Sequence, residues 1–314
     1  MKFALILCLA VIADEILGDP RNFPHPVRLI GNAINFWQSI FFRHDSFFNG
    51  LAVVIMTLIT AGLSVYVILY VTGGSIILQV YLLYSALAWR DLKDETLPVL
   101  FALMNHDIEG ARKSLSFVVG RDTDNLDEAG ITRAVIETVA ENSVDGVMSV
   151  IFFAVIGHIV NHSWGMCVSV WLFKSASTLD SMLGYESLGK FGTPSARLDD
   201  ILNFIPARLG GIIIIMAGAL TGCNVREALR VFVNDRLKHK SPNSGHGESA
   251  FSGVLGVRLG GGAFYGGEFE ARPCINEGAN EPSSGDILRA WRVLDVSCWV
   301  SVIAAVFVMT ILNG

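Results

Sequence analysis

Two glutamates one helical turn apart, with an arginine one turn before them, stand in RAVIETVAENSVDGV (133–147). On a helix Arg133, Glu137 and Glu141 share one face, and Asn142 and Asp145 follow at its end. Two carboxylates so placed suit a hard cation such as Mg²⁺, which takes oxygen ligands and leaves positions for phosphate oxygens. The same spacing also fits an Arg–Glu pair on a solvated helix. Upstream, GRDTDNLDE (120–128) sets Arg121 beside Asp122 in a Gly-led turn. That arginine suits bidentate recognition of phosphate or carboxylate, and that aspartate suits a metal. Asp124 or Asn125 reads as the cap of the following helix.

A further cluster is STLDSMLGYE (177–186) followed by SARLDDILNFIPAR (195–208). Arg197, Asp199, Asp200 and Asn203 fall at helical steps, and the adjacent aspartates with Asn203 form a candidate second magnesium site. The bland alternative is a network of Asp–Arg pairs near a membrane interface. Pro206 disfavours helix at Ile205, which places Arg208 just past the helix end. GYESLGK (184–190) has the spacing of a phosphate loop, but Phe191 stands where a metal-ligating Ser or Thr is needed and no strand precedes it. In SPNSGHGES (241–249) and RLGGGAFYGG (258–267), glycines would let backbone amides approach an anion, with Asn243, His246 and Arg258 adding donors. Near the start, GDPRNFPHPVRLIG (18–31) sets His25 and Arg28 between stiffening prolines.

The elements that must position these residues are mostly apolar. The 314 residues are 52% hydrophobic and 17% charged, with mean hydropathy +0.51. Residues 51–72 carry no charge and 293–312 carry only Asp295; both are long enough to cross a bilayer core. Shorter blocks lie at 75–89, 144–160, 164–173 and 209–222, and the apolar N-terminus reads as a retained membrane helix. The expectation is an all-α polytopic membrane protein with about five transmembrane helices and helical or Gly-rich loops, forming one catalytic domain over 1–314. The Lys and Arg bias puts the charged segments in the cytoplasm, and the links at 71–75 and 160–163 outside. Block 209–222 reads as a span or a re-entrant element, and segment 241–286 as loop. A net charge of −6 excludes a nucleic-acid partner's electrostatic footprint. Five cysteines without a CxxC read as small core residues.

Taken in order, GDP…HPVRLIG, RDL (90–92), GRDT, RAVIETVAENSVDG, TLDSMLGY, ARLDDILNFIPAR, SPNSGH and GVRLGG with YGG resemble the adenosylcobinamide-phosphate synthase family of cobalamin biosynthesis, the CbiB/CobD proteins. The resemblance spans nearly the whole chain. It implies a ligase of the cell membrane that joins a carboxylate of adenosylcobyric acid, a corrinoid, to (R)-1-amino-2-propanol or its O-phosphate, using ATP and Mg²⁺. Within the matched motifs, residue chemistry nominates Glu137, Glu141, Asp145, Asp199 and Asp200 for metal. Arg121, Arg197, Arg208 and Arg258 suit phosphates or the corrin carboxylate, and Arg28, Asp122, Asn142, Asn203 and Asn243 complete the substrate-binding set. His246 or His25 suits removal of a proton from the attacking amine, and Arg208 joins them as a catalytic candidate.

Three positions depart from the family's pattern: Ser177-Thr178 for Asn-Thr, Gly247 for proline after SPNSGH, and Lys93 for histidine after RDL. Gly247 should leave its loop looser. A prenyl- or alcohol-phosphate transferase would show Asp-rich clusters in two helices, and a transporter would carry charges inside its spans; neither pattern is present. The acceptor and the oligomeric state stay open.

Overall fold

The computed structural model describes residues 2–19, 25–161 and 164–312. Residues 20–24 of the proline-flanked motif and 162–163 of the second link lie outside the described residues. The chain begins with helices α1 (Lys2–Leu17), α2 (Pro26–Phe41), α3 (Phe47–Val71), α4 (Ile76–Tyr84) and α5 (Trp89–Met104). It continues through α6 (Ile108–Leu115), α7 (Glu128–Ser143), a π-helical turn (Val144–Met148), α8 (Ser149–Val160) and α9 (Gly165–Leu183). Next come α10 (Thr193–Leu202), α11 (Phe204–Leu220), α12 (Val225–Asp235) and α13 (Ser244–Leu255). Four short strands, β1 (Leu259–Gly260), β2 (Ala263–Tyr265), β3 (Glu268–Glu270) and β4 (Cys274–Ile275), precede the last helix, α14 (Ser284–Ile311). The fold is all-α, as the hydropathy pattern predicts.

Among the described residues, three stretches are long and apolar enough to cross a membrane: Phe47–Val71, Glu128–Val160 and Ser284–Ile311. The bent pair α10–α11, with 47° between its arms, is a broken span or a re-entrant loop and brings the number to four at most. About five were expected. The difference arises because an apolar block need not be one helix: block 75–89 is interrupted after Tyr84, leaving nine helical residues in α4, and α1 has only sixteen. A membrane core needs about twenty.

The chain divides into two compact units, residues 1–88, 149–204 and 302–314, and residues 89–148 and 205–301. In the first unit α9 is the hub, packed on α2, α3, α4, α8 and α10. Trp171 anchors it, fully buried and donating its indole N–H to the Leu82 carbonyl at 2.9 Å. Ile55, Ile59 and Leu63 along α3 stay exposed, the surface a lipid environment requires. GYESLGK forms a short 3₁₀ turn, Glu186–Phe191, whose Phe191 is buried against Phe42. It is a packing element and no phosphate loop.

In the second unit α7 and α12 flank α13, while α5 and α6 pack on one another and on α7. Sequence composition misreads α13: within the segment 241–286 expected as loop, Ser244–Leu255 is a helix, buried from Gly245 to Leu255. Its glycines are the reason. A Cβ at Gly253 would lie 2.8 Å from Ala228 Cα, and one at Gly247 2.8 Å from the Ala140 carbonyl oxygen. Small residues let α13 approach both neighbours closely, and that packing outweighs glycine's poor helix propensity. Gly247 therefore sits in a tight helical contact, not in a loosened loop. Two other local expectations change. Asp127, not Asp124 or Asn125, caps α7, accepting from Gly130 N at 2.8 Å. Pro206 falls in the first turn of α11, where proline is tolerated, so Arg208 lies inside a helix and not beyond one.

Lys93 reaches Asp295 at 2.9 Å, and Trp89 donates its indole N–H to the same oxygen at 2.7 Å. Asp295 is thus the polar clasp between α5 and α14. Asp295→Ala leaves a half-buried ammonium and a buried indole donor without this partner, and is expected to lower stability by about 2 kcal/mol. A thermal melt of the detergent-solubilised protein checks it, Asp295→Asn losing less. All five cysteines are thiols, and Cys167 and Cys298 are buried, in keeping with small core residues.

Candidate active site

The polar residues of the second unit converge on the C-terminal half of α7. Arg121 reaches from the turn before that helix and donates to Glu137 Oε2 at 2.6 Å, with both side chains largely buried at 13% and 8% exposure. The other oxygen of Glu137 accepts the Gly260 amide at 2.7 Å. Gly260 adopts φ +76°, a conformation open to glycine, which aims that amide. Arg133 does not pair with Glu137. It donates to Glu281, whose second oxygen lies 3.1 Å from Arg258. Asp122 holds the β2–β3 turn, accepting from Gly266 N at 3.1 Å and Gly267 N at 2.7 Å. The GRDT motif therefore grips the hairpin with its aspartate and Glu137 with its arginine.

Beside the Arg121–Glu137 pair opens a cleft of about 130 Å³, lined also by Lys238, His239, Lys240, Glu248 and Arg272. Glu248, on α13, is 6% exposed. Burial, reinforced by the negative charges of Glu137 and Glu141, holds its carboxyl well above the usual carboxylate range. His239 Nδ1 accepts the Ser241 amide at 2.9 Å, which places the ring hydrogen of the neutral form on Nε2. That Nε2 lies 3.9 Å from Glu248 Oε1. Burial pulls the His239 pKa below its ordinary value, so the neutral ring prevails at physiological pH. Arg272 stacks over Tyr265 at 5.3 Å and donates to its hydroxyl at 2.8 Å. The cleft thus combines four cationic side chains with two nearly buried carboxyls.

Other nominated residues lie around it. Glu141 is exposed and accepts from Ser244 Oγ at 3.0 Å, while Asn142 bonds back to the Thr138 carbonyl at 2.9 Å. Asp145 stands half-buried in the π-helical turn, a local irregularity frequent at functional sites. Asn243 precedes α13, its Oδ1 3.4 Å from Arg208 Nη1. His246 does not line the cleft. It is 2% exposed and packed edge-on to Phe232. Burial first, then the charges of Arg208 and Arg236, pull its pKa down to about 4. Because this value lies below the ordinary 6.5, the neutral ring stabilises the fold above pH 6.5, and that contribution is lost as pH falls through about 4. His246→Leu is expected to flatten the acid limb of stability between those values, read as melting temperature against pH.

His25, Arg28, Arg197, Asp199, Asp200 and Asn203 belong to the first unit. His25 caps α2, accepting from Val27 N at 3.3 Å, and its Nε2 lies 3.2 Å from Asp19. Asn203 clasps α10 to α8, donating to Asp199 at 3.1 Å and accepting from Ser149 Oγ at 2.8 Å. Arg28 and Arg197 are exposed. Among the described residues no three His, Cys, Asp or Glu side chains form a ready-made metal cage.

The family model for the CobD/Cbib protein matches residues 7–294. The chain belongs to the CobD/Cbib family. Among its relatives, the "Cobalamin biosynthesis protein CobD" of Clostridium perfringens is 35% identical, with 98% of each chain covered. The protein of the same name from Pelobacter propionicus is 40% identical over 87% of this chain and 84% of its own. That from Klebsiella pneumoniae is 36% identical over 95% and 93%. No solved structure matches the chain. Within this family chain, Glu248, His239, Lys238, Lys240, Glu270 and Arg272 are the charged or titratable cleft residues that motif reasoning passed over. Glu248 had a signal: it is the one carboxylate in SPNSGHGES.

Proposed function

We propose that this protein is an ATP-dependent ligase of the cell membrane that joins a carboxylate of adenosylcobyric acid to (R)-1-amino-2-propanol or its O-phosphate. Family membership supports a role in cobalamin biosynthesis. The observation that carries the reaction class is the cleft, which Arg121, Lys238, Lys240 and Arg272 line together with the buried carboxyl of Glu248. A carboxylate and an amine do not condense unaided. An oxygen of the carboxylate takes the γ-phosphoryl group and ADP leaves; the amine nitrogen then attacks the acyl carbon and phosphate departs with that oxygen. The cations hold phosphate oxygens through both steps and stabilise the charge that develops there. Glu248 accepts the amine's proton, since a carboxyl raised above the usual range is a stronger base than an ordinary carboxylate. His239 orients it. His246, which does not line the cleft, is less suited to that role.

Mg²⁺ asks for one or two carboxylates plus phosphate oxygens and water. Glu137 and Glu141, whose charges already strain Glu248, meet that requirement without a three-residue cage. When bound there the ion would neutralise phosphate oxygens. We place the charged segments on the cytoplasmic side and regard 1–314 as one catalytic domain. The test is to give the purified, detergent-solubilised protein adenosylcobyric acid, ATP, Mg²⁺ and either amine, and to identify corrinoids by mass. An ATP-dependent gain equal to the amide supports the ligase and names the acceptor. No corrinoid product from folded protein with either amine overturns it.

A further inference from the structure

Helix α12 faces two ways. Ala228, Val231 and Asp235 are buried on the side that packs on α13. Val225, Leu229 and Val233, at four-residue spacing, form a second apolar stripe at 38%, 47% and 58% exposure, and Leu237, at 68%, stands in the turn just past the helix end. Arg226 and Arg230 stand exposed along its edge. Although the whole chain carries −6, residues 225–240 hold five Lys or Arg against two Asp or Glu. Only residues 221–224 separate this helix from α11, the apolar arm of the bent pair, which exposes Leu209, Ile212, Met216 and Leu220. Exposed apolar residues therefore stand both on α12 and on the preceding arm of a bent pair that is a broken span or a re-entrant loop.

We propose that α12 lies in the plane of an anionic phospholipid surface, with Val225, Leu229, Val233 and Leu237 among the acyl chains and Arg226 and Arg230 against headgroup phosphates. A helix with an apolar face and a basic edge binds in this way through buried area and charge attraction together. A second copy of the chain fits the stripe less well, because a symmetric contact would set Arg226 and Arg230 against themselves. Lys238, His239 and Lys240, which line the cleft, follow within one turn of the stripe's end. Lipid docking thus holds the cleft mouth at the water–lipid boundary. This placement is independent of the reaction assigned to the cleft.

The full chain, with Leu229 replaced by an environment-sensitive fluorescent amino acid, is reconstituted into phosphatidylcholine vesicles with or without phosphatidylglycerol. A second protein labelled in place of the exposed Asn234 reports water on the neighbouring face. Emission from position 229 is expected to shift to the blue and to lose about half its intensity to lipids brominated high in their acyl chains, while aqueous iodide quenches position 234 preferentially. Arg226→Glu with Arg230→Glu is expected to abolish any extra quenching that phosphatidylglycerol produces. Equal iodide quenching at both positions with no effect of brominated lipid overturns the proposal. Emission that changes with protein concentration and not with lipid assigns the stripe to a second copy, and overturns it also.

Discussion

Arg121→Met is expected to cost about 3–5 kcal/mol of stability, because it strands the Glu137 carboxylate at a site where both partners are nearly buried. Removing one member of a buried ion pair leaves an uncompensated charge, and the Gly260 amide alone does not replace a guanidinium. The double variant Arg121→Met with Glu137→Gln should recover most of that loss. A neutral pair of similar shape is often as stable as the ion pair it replaces, and Gln can still accept from Gly260. Turnover should fail in both variants. Melting temperature and activity therefore separate: the pair is tolerated as neutral by the fold and required as charged by the chemistry. A double variant with normal turnover would remove Arg121 and Glu137 from the catalytic machinery.

Glu248→Gln carries the other large effect and moves rate and stability in opposite directions. Turnover is expected to fall by about 10²–10⁴-fold, the usual worth of a positioned proton acceptor. Stability should not fall with it. The folded carboxyl titrates well above its ordinary value, so the native state holds the proton over a range where the unfolded chain has lost it. The protonated form's advantage is complete below the unfolded value and is lost as pH rises through the folded one. Wild-type stability should decline with rising pH across that window, and Glu248→Gln should flatten the decline. Melting temperatures of both proteins across a pH series check the sign.

How much of this was legible beforehand depends on whether the information is local. Helix α3 and the apolar end of α14 follow from hydropathy, because a charge-free run of membrane-spanning length has few other folds open to it. Arg121, Asp122 and Glu137 stood out by chemistry, yet their tasks did not. Asp122 spends its oxygens on Gly266 and Gly267, partners more than a hundred residues away that no spacing rule connects. Glu281 was invisible for the same reason, although it joins Arg133 and Arg258. Composition misled at α13, where glycine signals a turn to local reasoning but serves close packing on Ala228 and Ala140. Glu248 was passed over in favour of His246. Only three-dimensional burial distinguishes a carboxyl on a cleft wall from an imidazole packed under Phe232.

The most direct test of the account follows one oxygen atom. Adenosylcobyric acid labelled with ¹⁸O in its free carboxylate is incubated with the reconstituted protein, ATP, Mg²⁺ and the accepted amine, and the released phosphate and nucleotides are analysed by mass. Phosphoryl activation in the cleft requires one labelled oxygen in inorganic phosphate for each amide formed, with both the label transfer and the amide lost in the Arg121→Met and Glu137→Gln double variant. Amide formed with unlabelled phosphate, or with the label carried into AMP, would contradict it.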